Sequence, residues 1–260
     1  MLIERIGATV VISLNRPEKR NALTLALLAE IGQAISAAGQ EPNVRAVLVH
    51  GHGLAFSAGI DLGAFADFER EFGPNWRSHM LAITQQFQAS LNLVAGCAVP
   101  TIALLHGFAL GLGLELALAC DLRLAAAGTQ LGLPETRLGL IPDVGGTTRL
   151  TRLVGPGWAK QLILTGGTID AETAHHWGLV TAVTSASELM DQGLALAAEI
   201  TRGAPLAVNA AKRVINQVEA DVARGLALEA SAQNELVQTA DFAAGVQAVL
   251  TRTPPVWQGR

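Results

Sequence analysis

The order in which strand-like and helix-like segments follow one another is the tightest constraint this sequence places on its fold. Up to about residue 147, short β-branched runs alternate with helical stretches, and from there on the chain reads as helices separated by glycine and proline. Thr9–Leu14 (TVVISL) reads as a strand, as do residues 44–49 (VRAVLV), the run Thr101–Leu105 introduced by Pro100, and residues 123–127. Between them, residues 23–38 are expected to form a helix stopped by Gly39. A polar amphipathic helix is expected through the eighties and nineties, and a short one at Leu112–Ala119. Later come breaks at Gly155-Pro156 and Gly166-Gly167, a short helix at 171–177, and alanine-rich helices over 187–202, 205–219 and on to about Leu250. Strands alternating with helices, then helices only, predict an α/β core followed by a helical C-terminal region. A division into residues 1–195 and 196–260 is expected on that ground. The sequence holds no internal repeat and no low-complexity tract.

With 260 residues, half of them hydrophobic and 15% charged, the chain has ample material for a core and no disordered character. A net charge of −4 without a long basic run argues against nucleic acid as a partner. The N-terminal MLIERIGATVVISLN carries Glu4 and Arg5 where a signal peptide would be apolar, and no apolar run approaches the roughly 18 residues of a membrane span. A soluble, cytoplasmic protein without a membrane partner is expected. Cys97 and Cys120 stand far apart and suggest neither a disulfide framework nor a metal site.

One residue resists this plain description. In GFALGLGLELALACD, Glu115 stands alone among glycines, leucines and alanines. A buried carboxylate without partners costs several kcal/mol, roughly, so it is either satisfied structurally or present for its chemistry. Arg123 or Arg137 would be its partner in a structural ion pair. The familiar motifs do not explain it. Gly111-Leu112-Gly113 begins a dinucleotide fingerprint, but Leu116 stands where the third glycine belongs, and there is no GK[ST], H-E-x-x-H or G-x-S-x-G. The adjacent His175 and His176 point about 100° apart on a helix and make a poor metal pair. Ser57 has no base near it in sequence and reads as packing.

Three segments together resemble the crotonase superfamily of enoyl-CoA hydratases and isomerases: FSAGIDL (56–62), HGFALGLGLELALACDLRLA (106–125) and LGLPETRLGLIPDVGGTTRLTRLVG (131–155). NRPEKRNAL (15–23) and LTGGTIDAETAHHWGLV (164–180) match in order and spacing, so the resemblance spans nearly the whole chain. It implies a spiral of ββα units, a helical C-terminal trimerisation region, a homotrimer or homohexamer, and a coenzyme A thioester as substrate with no separate cofactor and no metal. Such reactions pass through a thioester enolate, and one preorganised N–H aimed at its oxygen is worth roughly 2.7–4 kcal/mol. By resemblance the two donors are the backbone amides of Ile60 and Leu112, although crotonases commonly carry three consecutive glycines where this chain has Gly111-Leu112-Gly113.

By the same resemblance Glu135 protonates the α-carbon and Glu115 orients and activates water, the pair that hydration requires. Asp143 matches the base of some isomerases in the superfamily. For the phosphates of coenzyme A, Arg16, Lys19 and Arg20 are the nearest positive group, with Arg252 a second candidate. Ala22, Ala58, Asp61 and Leu62 are expected to line the pantetheine and adenine site. The expected activity is hydration of trans-2-enoyl-CoA. Double-bond isomerisation with Glu135 or Asp143 as base is the alternative, and a non-catalytic thioester-binding paralogue a second alternative.

Overall fold

The computed structural model describes residues 1–217, 239–251 and 253–260. Arg252 and much of the stretch expected to be helical before Leu250 lie outside the described residues. Strands β1 (Leu2–Ile6) and β2 (Thr9–Leu14) open the chain as an antiparallel pair. Helix α1 (Leu25–Ala38) leads to β3 (Ala46–Gly51), and helices α2 (Ala64–Phe72) and α3 (Met80–Ala95) lead to β4 (Thr101–Leu105). Two short turns of the chain follow. The first is β5 (Phe108–Leu110) and α4 (Leu112–Ala119); the second is β6 (Leu122–Ala126), β7 (Gln130–Gly132) and α5 (Gly146–Thr165). Strand β8 (Thr168–Asp170), α6 (Ala171–His176), β9 (Ala182–Thr184), α7 (Leu189–Ile200) and α8 (Pro205–Gln217) complete the main body. A last helix covers Ala240–Thr251.

The strands form two sheets. The larger has the order β1-β2-β3-β4-β6-β9, parallel from β2 onward, and the smaller has the order β5-β7-β8. Successive turns therefore give one strand to each sheet before their helix: β4 then β5, β6 then β7. This is the ββα spiral that the resemblance implies.

Period-two alternation sorts the larger sheet into two faces. Val47 and Val49 of β3, Ala103 and Leu105 of β4, and Val10, Ile12 and Leu14 of β2 join the main core with α1, α3 and α4. Their neighbours Ala46, Leu48, Ile102, Leu104 and Val11 face the other way, onto Leu189 and Ala197 of α7. With both faces covered, these strands read as near-continuous apolar runs, which is why the sequence exposed them readily. Each buried Val, Leu or Ile contributes roughly 1.5–3 kcal/mol of transfer free energy.

Helix α4 is buried on every side. Just past its end, Asp121 Oδ2 accepts from the Thr101 N–H at 2.7 Å and pairs with Lys212 Nζ of α8 at 2.7 Å. Lys212 also donates to the Val99 carbonyl at 2.9 Å, so a largely buried charge pair fastens α8 to the core.

One expectation needs correction. The segment after residue 147 is not helical throughout, since β8 and β9 each add a three-residue strand. Such short strands, lying between helical patterns, carry too few alternations to register. The same brevity hid β5 and β7, and charged residues masked β1. The helix expected through the eighties and nineties is α3, and a further helix, α2, precedes it, parted from it at Gly73 and the 3-10 turn Trp76–His79. The break at Gly155-Pro156 is real: Gly155 adopts φ 79°, ψ 163° inside α5. Position 195 falls within α7.

Candidate active site

Parallel pairing of β5 with β7 sets Leu110 opposite Gly132, so the segments that follow both strands leave the small sheet at the same end. One enters α4 and carries Glu115; the other enters the 3-10 turn Pro134–Leu138 and carries Glu135. The Gly111 N–H donates to the Gly132 carbonyl at 2.9 Å and locks the two exits together. Gly111 itself has φ 50°, and a Cβ there would lie 2.7 Å from Glu135 Oε1, so only glycine suits the junction.

The two amides proposed from sequence as oxyanion donors come together by a second piece of backbone geometry. Ser57 bridges to Ala109, and Leu23 bridges in parallel to Ile60. In the latter bridge Leu23 takes the Gly59 carbonyl and the Asp61 N–H, so the Ile60 N–H points away from it. Gly59 adopts φ 93° against the backbone of 110–112, its Cβ direction ending 3.4 Å from the Leu112 nitrogen. The N–H of Leu112 is the first of α4, where no intrahelical acceptor exists. Among the described residues neither amide has an acceptor. Ser57, wholly buried, donates to the Asn21 carbonyl at 2.8 Å and accepts from the Gly59 N–H at 3.1 Å, the packing role its sequence context suggests.

Glu115 is 2% exposed and makes no ion pair among the described residues. Its Oε1 accepts from the N–H groups of Val144 at 2.9 Å and Gly146 at 2.8 Å. Arg123 instead caps the end of α4, donating to the Cys120 carbonyl at 2.6 Å, and Arg137 reaches the Thr165 carbonyl. Burial pushes the Glu115 carboxyl up to about 8; the two amides pull it down, and the charges of Glu135 and Asp143 add to the rise. Glu135 is raised too, first by burial and then by Asp143. Its Oε2 is buried and has no hydrogen-bond partner among the described residues. Asp143 is held differently: Thr84 Oγ1 donates to its Oδ2 at 2.7 Å, and Gln88 Nε2 donates to its carbonyl at 2.7 Å.

A cavity of about 560 Å³ joins these groups. Its wall includes Glu115, Glu135, Asp143, Ile60 and Leu112, together with Lys19, Arg20, Ala22, Ala58, Asp61 and Leu62, so of the site residues read from the sequence within the described segments all but Arg16 border one space. The positive turn divides in two. Arg16 is committed, its Nη2 on Asp61 Oδ2 at 3.1 Å and its Nη1 on the Ala22 carbonyl at 2.8 Å. Lys19 and Arg20 are exposed and make no ion pair among the described residues. Asp61 is held below the usual carboxylate range, chiefly by the Gly63 N–H and then by Arg16. Asn21, in the left-handed region at φ 53°, supports this turn by donating to the His52 and Ala55 carbonyls, both at 2.9 Å.

Sequence reasoning missed the residues that hold the carboxylates: the Val144 and Gly146 amides, Thr84 and Gln88. Only the glycine pair in IPDVGG hinted at backbone donors. It missed also the aromatic end of the cavity, formed by Phe68, Met80 and Phe87.

A two-sheet ββα spiral with carboxylates gathered beside free backbone amides defines a crotonase-fold protein, and solved structures bear this out. The chain matches the enoyl-CoA hydratase from Bacillus anthracis with a TM-score of 0.92 at 36% identity, covering 100% of this chain and 99% of that one. Pseudomonas aeruginosa DspI matches with a TM-score of 0.91 at 35% identity, over 99% and 96% of the two chains. In sequence it is 40% identical over 250 residues to a putative enoyl-CoA hydratase/isomerase, YngF, of Bacillus subtilis, spanning 95% of this chain and 94% of that protein. It is 36% identical over 258 residues to a crotonyl-CoA hydratase of Syntrophomonas wolfei, 97% and 95% of the two. Residues 4–260 match the family model described as enoyl-CoA hydratase/isomerase, and the chain belongs to that family. No helix among the described residues is long and apolar enough to cross a membrane.

Proposed function

We propose that the protein hydrates trans-2-enoyl-CoA to the 3-hydroxyacyl thioester. The observation that carries this reading is the pair of carboxylates, Glu115 and Glu135, both pushed toward the acid form at the edge of one cavity, with Glu135 Oε2 buried and unpartnered. Hydration needs such a pair to hold one proton between them, and burial with mutual repulsion favours that state over the doubly ionised one. In the form with the shared proton on Glu135, the Glu115 carboxylate takes a proton from water as the water oxygen bonds to C3. The protonated Glu135 delivers its proton to C2. Between these events the thioester oxygen carries negative charge, and the amides of Ile60 and Leu112 would receive it. Atoms balance: one water enters, and its two hydrogens are accounted for by the C2 proton and the 3-hydroxyl once Glu115 and Glu135 return to their starting states through solvent.

A double-bond shift within the same family needs a single base and no water. Asp143 borders the cavity and is the second candidate for that base, but its Oδ2 is already engaged by Thr84. The test is loss of crotonyl-CoA absorbance at the enoyl-thioester band, alongside turnover of 3-enoyl thioesters. Glu115→Gln and Glu135→Gln are each expected to lower hydration by at least ~10²-fold, and Asp143→Asn far less. Abolition by Asp143→Asn with a nearly silent Glu115→Gln would make the enzyme an isomerase.

A further inference from the structure

The cavity does not end at the carboxylates. Val144, whose amide holds Glu115, follows Asp143; Asp143 is bound by Thr84; and Thr84 shares one face of α3 with Met80 and Phe87 at helical spacing. Phe87 packs edge-on against Phe68 of α2, ring centroids 6.3 Å apart. These contacts run without a break from the reacting groups to an apolar end lined by Phe68, Met80, Phe87, Leu140 and Ile141. The two exposed cations, Lys19 and Arg20, border the same cavity on the turn that precedes α1. A thioester with its phosphates on that turn and its C2 and C3 between Glu115 and Glu135 leaves the apolar wall of the cavity, Phe68 included, for its acyl tail.

Behind Phe68 lies a second hollow, of about 460 Å³, between the start of α1 and the outer face of α2. Thr24, Leu25 and Ala26 form one side, and Asp67, Arg70 and Glu71 the other. Phe68 borders both spaces and is 2% exposed. Its ring is wedged between Phe87 and Trp76, centroids 5.8 Å away on the Trp76 side. The hollow behind it carries charged groups and the cavity in front is mainly apolar, and among the described residues Phe68 is the one that borders both.

We infer that Phe68 is the acyl-length determinant, a partition on which the chain terminus abuts and whose removal joins the two spaces into one channel. This rests on the reading of the site as an enoyl-CoA site. An apolar terminus stopped against a ring cannot lengthen without displacing it, and a single methylene in a fitted apolar pocket commands about 10-fold or more of discrimination. Removing the ring leaves room for the tail to continue toward α1.

The experiment measures two series on the full-length protein and on Phe68→Ala, Phe68→Leu and Phe68→Trp. One is kcat/KM for crotonyl-, hexenoyl-, decenoyl- and hexadecenoyl-CoA. The other is the Kd, by calorimetry, of the corresponding saturated acyl-CoA thioesters, which needs no hydration chemistry. In Phe68→Ala the decenoyl-to-crotonyl ratio should rise at least about tenfold, and in Phe68→Trp the acceptable length should shorten. Phe68→Leu, which keeps an apolar side chain of intermediate size, should fall between and serves if the alanine variant does not fold. Length profiles superimposable on the parent in folded variants, in both series, would overturn the inference. A protein that binds saturated thioesters with the expected length shifts yet hydrates none of the enoyl series would uphold the partition and refute the hydratase reading instead.

Discussion

Replacing Glu115 with glutamine should make the protein more stable while disabling it, and the size of the gain follows from the site. The carboxyl rises from 4.5 to about 8 on folding, principally through burial. Each pH unit of such a difference is worth about 1.4 kcal/mol, so the native state holds the ionised form at a disadvantage of about 5 kcal/mol once the pH exceeds both values. The sign is fixed by the direction. Because the folded value lies above the unfolded one, the parent is unpenalised below about pH 4, loses stability as the pH climbs, and levels off beyond about 8. At pH 7 the accumulated loss is about 3 kcal/mol. Glutamine keeps an oxygen that accepts from Val144 and Gly146 in the same place and never ionises, so it avoids the loss. At ~2 °C for each kcal/mol in a chain of this length, Glu115→Gln should melt about 6 °C higher at pH 7. The gain should approach 10 °C, on the order of that figure, above pH 8 and vanish near pH 4. Thermal unfolding of both proteins at one protomer concentration across that range measures it, the fixed concentration removing any contribution from assembly. A difference in Tm that stays flat between about pH 5 and pH 8.5, or a variant less stable than its parent at the alkaline end, would show that Glu115 is not held toward its acid form.

Leu112→Pro removes a backbone N–H at the first position of α4, where proline's fixed φ is compatible with a helix start. Both Leu112→Pro and Leu112→Gly should lower the Tm, because the leucine side chain is buried, but only the proline variant should cost a further 10²–10³ in kcat, roughly, whereas Leu112→Gly retains activity and broadens acyl tolerance; comparable turnover in a folded proline variant would remove Leu112 from the oxyanion site. Neutralising Lys19 and Arg20 together should weaken acyl-CoA binding roughly three- to tenfold at low salt, with the gap closing as ionic strength rises. An unchanged Kd at low salt would leave the phosphates to other residues.

Much of the larger sheet was legible because its strands are buried on both faces and announce themselves as apolar runs. The small sheet was not. Its strands Phe108–Leu110, Gln130–Gly132 and Thr168–Asp170 have three residues each, and parallel or distant pairing leaves no local trace. The carboxylates could be found because charge is conspicuous in GLGLELAL and LPETRLG. What holds them could not, since Val144 and Gly146 act through main-chain amides that any residue but proline supplies. Phe68 illustrates a different limit. Nothing in AFADFEREF distinguishes a ring that divides two cavities from one that merely fills a core. That distinction depends on α1 and α3, which are remote in sequence.

The ββα winding also separates two kinds of chemical information. The Ile60 and Leu112 amides belong to the main chain at the edges of consecutive windings, so almost every point mutation leaves them in position. Glu115, Glu135 and Asp143 are side chains from α4, the 3-10 turn and the lead-in to α5, and one base change can erase or create any of them. On the proposed mechanism, a lineage built on this plan can exchange which proton moves, and where, without disturbing what steadies the charge in between. Hydration and double-bond migration are thus near neighbours in mutational space, a few codons apart on an unaltered backbone.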